Sequence, residues 1–439
     1  MTAVTSPART DVNRVRLQTE NTVRGGTVTD SETGYLPPML NPFDPGFHDN
    51  PYLQYREVRE HDPVHLTPLG AWALFRHADI SKVLRDPNLS VEERHATQMQ
   101  FEVDPEIAAL WEERGERTNR SMLDLDPPDH HRLRRLVAKV FTPRMVEGLR
   151  PRVAALVDEM LDATATRGEM NVISDLAFPL PFVVISEMLG IPDSGQRDEL
   201  RAWSGAIVKT FDPIISTDEM KAAFYAGQSM FEYLTEVIAW KRANPSDDLL
   251  SALIAAEEDG DRLTEDELTS TTALLFIAGH ETTVNLIGNG VLALLRNPDQ
   301  LELLRGRPDI IENAVDELNR YDGPVQFSRR ITIEDYEIGG KTIPAGTFVM
   351  VCLGSGNHDP AVFGPTCEEL DLTRGNARDL LTFGGGFHHC LGNALARLEA
   401  QEAIGRLVAR FDRLALRDEA VTWNGRFVLR GLAALPVTI

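Results

Sequence analysis

FGGGFHHCLG, residues 383–392, sets Cys390 behind three consecutive glycines and two histidines, just before a run of helical spacing from Leu391 to Phe411. Helix N-terminal amides and the macrodipole stabilise negative charge, so a thiol at a helix start is placed to ionise. A thiolate wants an electrophile or a metal. Gly384, Gly385, Gly386 and Gly392 let backbone pass close to a bulky flat partner, and Phe383 offers a face to shield it. A purely structural cysteine would explain none of these glycines. A nucleophile needs a histidine and an orienting partner, yet a histidine adjacent in sequence rarely points at the same atom. Zinc needs about three or four soft ligands, and Cys352 and Cys367, the other two cysteines, lack CxxC spacing.

The totals narrow the setting. In 439 residues, 67 acidic against 44 basic side chains leave a net charge of -23, which argues against nucleic acid or an anionic membrane as main partner. Three scattered cysteines make no disulfide framework and suggest a reducing compartment, expected to be the cytoplasm. No apolar run approaches the roughly 20 residues that cross a bilayer, so no membrane anchor is expected. Residues 1–34 are Thr-rich with mixed charges and no apolar signal core, and read as a disordered tail. No repeat or linker divides residues 35–439, which read as one mainly α domain with small β-sheets.

Pro63 to Arg76 reads as a short hairpin, and Ala78 to Leu84 begins a helix. Ser90 to Asn119 is polar and weakly periodic, a long loop or broken helix. In DPPDHHRLRRLVAKVFTPR, Asp126 can cap a helix whose apolar positions are Leu133, Leu136, Val137, Val140 and Phe141. Helical patterns follow over Arg150–Thr166, Asp175–Leu189, Gln196–Lys209 and Asp218–Arg242. Thr264 and Glu267 form a capping box that opens an apolar helix running to Asn297-Pro298, roughly 45 Å at 1.5 Å per residue. A helix so long and apolar must cross the middle of the domain. Another helix spans Pro308 to Arg320, the segment around Gly339-Gly340 alternates like a hairpin, and the chain ends in short strands.

Haem iron with an axial thiolate is the reading that uses the cysteine and its glycines together. At this point the sequence resembles the cytochrome P-450 family, whose haem loop is written F-x-x-G-x-H-x-C-x-G: Phe383, Gly386, His388, Cys390 and Gly392 match every fixed position. Within the long helix, AGHETT (Ala278 to Thr283) matches the family's acid-threonine segment. Gly279 is poor for a helix interior and the threonines can bond their own backbone, so a distortion is expected there. By resemblance Thr282 steadies bound oxygen over the iron and Glu281 feeds protons. Glu317 and Arg320 match E-x-x-R, at i and i+3 on one helix face. The family usually adds a third basic residue, but CEELDLTR puts Glu369 and Leu370 where Arg and Phe are common; Arg374 is one candidate. His130, Arg134, Arg330 and His388 match the family's donors to the two haem propionates, with His131 and His389 as outward-facing neighbours.

The resemblance runs from about Tyr35 to Ile439 and implies the cytochrome P-450 fold of the soluble bacterial type, a long central helix lying over haem b with Cys390 as axial thiolate. It implies a monooxygenase that inserts one oxygen atom from O2 into a C–H bond or a double bond. Electrons would come from NAD(P)H through a separate ferredoxin and reductase, since no flavin or iron-sulfur signature is present. Arg132, Arg135, Lys139 and Arg144 offer a basic docking face. By resemblance the substrate pocket draws on Ser90–Asn119, Ile207–Ser216, Leu274, Ile277, Ala278, Val325, Gln326, Val428 and Leu429, mostly apolar, which suggests a hydrophobic small molecule such as a macrolide, terpenoid, steroid or fatty acyl chain. Two other classes remain open: a peroxide-using peroxygenase, whose members usually replace the acid-threonine pair that stands intact here, and a haem-binding sensor, which would not need that pair.

Overall fold

A computed structural model describes residues 40–97, 104–114, 121–192, 195–256 and 260–439. The 1–34 tail lies outside these. Of Ser90–Asn119 the described parts include a 3-10 turn at Glu93–His95 and a helix at Pro105–Arg114.

The axis of the fold is the helix Glu265–Arg296, opened by the expected box: Thr264 accepts from the Glu267 amide and the Glu267 side chain accepts from the Thr264 amide. Its 32 residues extend roughly 48 Å. It is buried on all sides from Thr283 to Leu294, and its glycines admit neighbours. A Cβ on Gly279 would sit 2.9 Å from Ile185, one on Gly288 2.6 Å from Ile173, and one on Gly290 3.0 Å from Ile404. Those partners lie on the Pro179–Leu189 helix, the Ile173–Ala177 turn and the Asn393–Arg410 helix, so three elements close on the central one through missing methyl groups. The helix runs without a break through Gly279, where a distortion is expected, and Thr282 and Thr283 do donate their hydroxyls to the Ala278 and Gly279 carbonyls at 3.1 and 3.3 Å.

Most apolar side chains join one cluster around this helix, and two smaller clusters sit at the sheet. The sheet has five strands in the order Val64–Leu66, Trp72–Leu74, Phe348–Cys352, Phe327–Thr332, Leu89–Ser90. All its pairings are antiparallel except Trp72–Leu74 on Phe348–Cys352. The Pro63–Arg76 and Gly339-Gly340 hairpins form as expected. The C-terminal strands Leu432–Ala434 and Pro436–Thr438 pair with Thr422–Trp423, Ala415–Leu416 and Glu169–Asn171.

Two local readings need correction. Asp126 does not cap the Asp129–Val140 helix; its carboxylate accepts instead from the Val91 amide, at 2.9 Å, and from the Ser90 hydroxyl. Asp175–Leu189 is not one helix, because a wide turn at Ile173–Ala177 precedes the helix that starts at Pro179.

Candidate haem-thiolate site

The glycine loop is built by close approach. Gly384 and Gly386 take φ of 70° and 66°, the left-handed region that side chains resist. A Cβ on Gly386 would lie 2.5 Å from the Leu84 carbonyl oxygen. This tight turn carries the chain back so that the Cys390 amide donates to the Phe383 carbonyl at 2.9 Å. Phe383 is covered in turn by the Arg397 guanidinium, 4.4 Å from its ring centre. The helix that follows starts at Asn393, whose amide nitrogen Nδ2 donates to the Cys390 carbonyl at 2.8 Å. Burial pushes the Cys390 thiol up, while the Gly392 amide, Arg134 and Arg397 pull the other way. Burial thus opposes the ionisation that the helix start favours. A bound metal ion deprotonates a coordinating thiol outright.

Beside the loop lies a cluster of donors facing one another. His130 is fully buried with neither ring nitrogen hydrogen-bonded, and His388 has an unbonded Nε2; their ring centres are 4.4 Å apart. Arg330 donates to the Arg329 and Leu84 carbonyls, and its Nε is unbonded. Arg134 donates to the His389 carbonyl at 2.6 Å. Burial, reinforced by Arg134, lowers His130 to about 4; burial with Arg330 lowers His388 to about 3; burial lowers Arg330 to about 10. Such a set disfavours its own positive charge and would be relieved by an anion. His131 and His389 are exposed, as expected.

Glu317 and Arg320 form a fully buried two-point pair at 2.6 and 2.8 Å. The third partner is Arg374, whose Nε donates to Glu317 at 3.1 Å. The two guanidiniums spend their remaining N–H groups on backbone carbonyls. Arg320 takes Asn357, Cys367 and Glu369; Arg374 takes Phe363, Thr366 and Glu369. Both charges are thus paired and satisfied, the condition under which ions survive burial.

Along the central helix Ala278 is exposed, and Leu274 and Ile277 are half-buried, as are Val325 and Val428. Leu429 is buried and bridges to Val325. Gln326 departs from the expectation of a pocket residue: it is 1% exposed, and its amide donates to the Gly323 carbonyl at 2.7 Å and the Tyr52 hydroxyl at 3.1 Å, so it braces the frame. Glu281 is held by a residue the sequence reading passed over. Arg426 donates to its Oε2 at 3.2 Å. Burial opposes the charge on Glu281, but His280 and Arg426 outweigh it and hold the carboxyl below its ordinary value. Arg426 stands in an RFVLR run whose two arginines look alike in sequence, so no local signal marked it out.

The cytochrome P450 family model matches residues 81–306 and 309–425. The chain is 43% identical over 414 residues to cytochrome P450 107B1 of Saccharopolyspora erythraea, covering 92% of this chain and 98% of that one. This protein is a cytochrome P450. It is also similar to the vitamin D(3) 25-hydroxylase of Pseudonocardia autotrophica, 42% identical over 405 residues, 90% of this chain and 96% of the relative. Among solved structures it resembles P450BioI in complex with an acyl carrier protein ligated to hexadec-9Z-enoic acid, with TM-score 0.82, 37% identity, and 90% and 99% of the two chains covered. As a bacterial P450 it is a monooxygenase, and the family's cofactor is haem with a cysteine thiolate. Among the described residues no helix is long and apolar enough to cross a membrane.

Proposed function

We propose that this P450 binds haem b through Cys390 and inserts one oxygen atom from dioxygen into a hydrophobic small molecule, with electrons delivered by a separate ferredoxin and NAD(P)H-dependent reductase. The observation that carries the cofactor assignment is the set of buried and half-buried, partly unbonded donors beside the cysteine loop. Two imidazoles and two guanidiniums, all pushed toward their neutral forms, suit the two propionates of haem. Residues 35–439 form the catalytic domain in this reading.

When bound, thiolate-ligated iron supplies the activation of dioxygen. The chain's own residues do the rest. His130, Arg134, Arg330 and His388 bind the carboxylates and fix the macrocycle's register. The Gly384 to Gly386 turn would present the Cys390 sulfur to the iron, and Phe383 with Arg397 over it would keep water from that sulfur. Ala278, exposed on the central helix, would let that helix lie close to the bound group, while Gly279 beside it packs on Ile185. Thr282, now donating to Ala278, has a hydroxyl that can turn to hold a proton beside the bound group, and the Glu281 carboxyl would relay protons toward it. Leu274, Ile277, Val325, Val428 and Leu429 present an apolar wall, which favours a substrate of low polarity. A relative that hydroxylates vitamin D3 and one solved with a C16 acyl chain support that class.

The redox face is smaller than the sequence suggested. Arg132 is engaged with Asp261 and Glu267, which leaves Arg135 and Arg144 as the exposed cations of that group that carry the proposal. Reversing both charges should slow reduction by an acidic ferredoxin and flatten its salt dependence; unchanged rates across salt would remove this face.

The cofactor reading is tested by the absorbance of the reduced protein with carbon monoxide. The far red-shifted Soret band of thiolate ligation is expected, lost in Cys390→Ala. A Soret band at the histidine-ligated position in folded wild-type protein would remove Cys390 as ligand. Substrate class is tested by titrating the ferric protein with a sterol and with a C14–C16 fatty acid, looking for a blue-shifted Soret band.

A further inference from the structure

Arg426 touches two elements at once. Through Nη1 it donates to Glu281 Oε2 on the central helix, and through Nη2 to the Gly205 carbonyl near the end of the Arg197–Ile207 helix, each at 3.2 Å. Both side chains of the ion pair are mostly buried, 16% and 15% exposed. The same turn is tied a second time to the segment after that helix. Asp212 Oδ1 accepts the amides of Phe427 and Val428 at 3.1 and 2.8 Å. Gly205–Asp212 and Arg426–Val428 are thus stitched together at both ends, and only one stitch reaches the acid.

The other oxygen of Glu281 lies 3.7 Å from His280 Nε2. His280 is buried, edged by Phe178, Phe182 and Phe276, and its Nδ1 bonds the Phe276 carbonyl. The groups facing the carboxylate are therefore His280 on its own helix and Arg426 from the turn. The Pro179–Leu189 helix brings only the aromatic ring of Phe182 against this histidine, and the Arg197–Ile207 helix brings the Gly205 carbonyl to Arg426.

We propose that Arg426 is the positioning residue for the Glu281 carboxylate, and that it makes this position conditional on the Gly205–Asp212 segment lying closed against the turn. The inference rests on the reading of Glu281 as the residue that relays protons. A guanidinium is a planar fork whose donors diverge at fixed angles, so one arm cannot be moved without re-aiming the other. If the segment lifts, the Gly205 bond breaks, the fork is free to rotate, and the carboxylate loses its fixed cation. Proton delivery then becomes competent in the closed arrangement, when a substrate is enclosed, and is disfavoured when the segment is open to water.

The test is amide hydrogen exchange on the haem-loaded protein, read over peptides covering Ser204–Asp212. Arg426→Gln should speed exchange there on the order of five-fold, the scale of one partly exposed ion pair. Glu281→Gln, a change on a different element, should speed the same peptides. The double variant should be no faster than Arg426→Gln alone, since one link cannot be cut twice. Arg426→Lys, which keeps the charge without the fork, should fall between wild type and Arg426→Gln. The proposal is overturned if Glu281→Gln leaves Ser204–Asp212 unchanged, if the two effects simply add, or if Lys protects no better than Gln. The proton reading fails separately: Glu281→Gln would then consume dioxygen at the wild-type rate when reduced through a surrogate ferredoxin chain.

Discussion

The two sides of the central helix are held by different physics. On the cysteine side, one carboxylate and two guanidiniums, all buried, lock a long loop through six bonds to five backbone carbonyls, and a left-handed glycine turn fits against a carbonyl with no room for a methyl group. On the opposite side, a single partly exposed ion pair and one carboxylate join the acid, the Gly205–Asp212 segment and the C-terminal turn. The first region has many bonds that fail together. The second has few, each breakable alone. This difference suits one side to fixing a cofactor and the other to admitting different guests.

The comparison breaks most visibly at Glu317. Glu317→Gln would leave Arg320 and Arg374 facing each other without a counter-charge, at a cost of about 3–5 kcal/mol. Urea unfolding should show that loss, and haem content should fall with it. Gly386→Ala comes next. It forces a side chain into the left-handed region and against the Leu84 carbonyl, costing roughly 1–3 kcal/mol; a lowered Tm with a distorted thiolate spectrum is expected. Thr282→Ala belongs to the other side and should barely change stability. It should retain haem yet divert electrons from product to peroxide, measured as peroxide formed per NAD(P)H; unchanged coupling would take Thr282 out of the mechanism.

The smallest effect sharpens the contrast by pH. Burial raises the Asp212 carboxyl, although the Phe427 and Val428 amides it accepts pull it down. An acid with a folded pKa above its unfolded one binds its proton more tightly when folded. Stability from that proton is fully present below the unfolded pKa and declines as pH rises through the folded one. Asp212→Asn keeps an oxygen acceptor and cannot ionise, so it should raise Tm by about 1–2 °C at pH 7 and by nothing at pH 3. An equal gain at both pH values would assign the effect to something other than ionisation.

Much of the rigid side was legible in the sequence because its constraints are local. Phe383 to Gly392 is one turn, Glu317 and Arg320 are one helical turn apart, and the capping box at Thr264 is a four-residue pattern. Arg374 stood in the sequence only as one candidate, since its pairing with Glu317 depends on how a 57-residue excursion returns. The mobile-substrate side was less readable. Arg426 meets Glu281 across 145 residues, and nothing in either neighbourhood announces the other. Gln326 misled for a related reason: lying next to Val325 in a strand-edge segment, it faces the frame, and side-chain direction there is set by a partner, Tyr52, far away in sequence. Asp126 failed as a cap because Val91 and Ser90 reached it first.

The arginine pair has a consequence for variation. Arg320 and Arg374 grip residues 357–369 by carbonyl oxygens, and every amino acid carries the same carbonyl. Asn357, His358, Phe363 and Cys367 are fixed by burial, but the exposed side chains along that loop are free to drift while it keeps its path. Glu369, exposed where the family often has Arg, is the trace of that freedom: the loop has changed its spelling there without changing its course, because the residues that hold it do not read the letters.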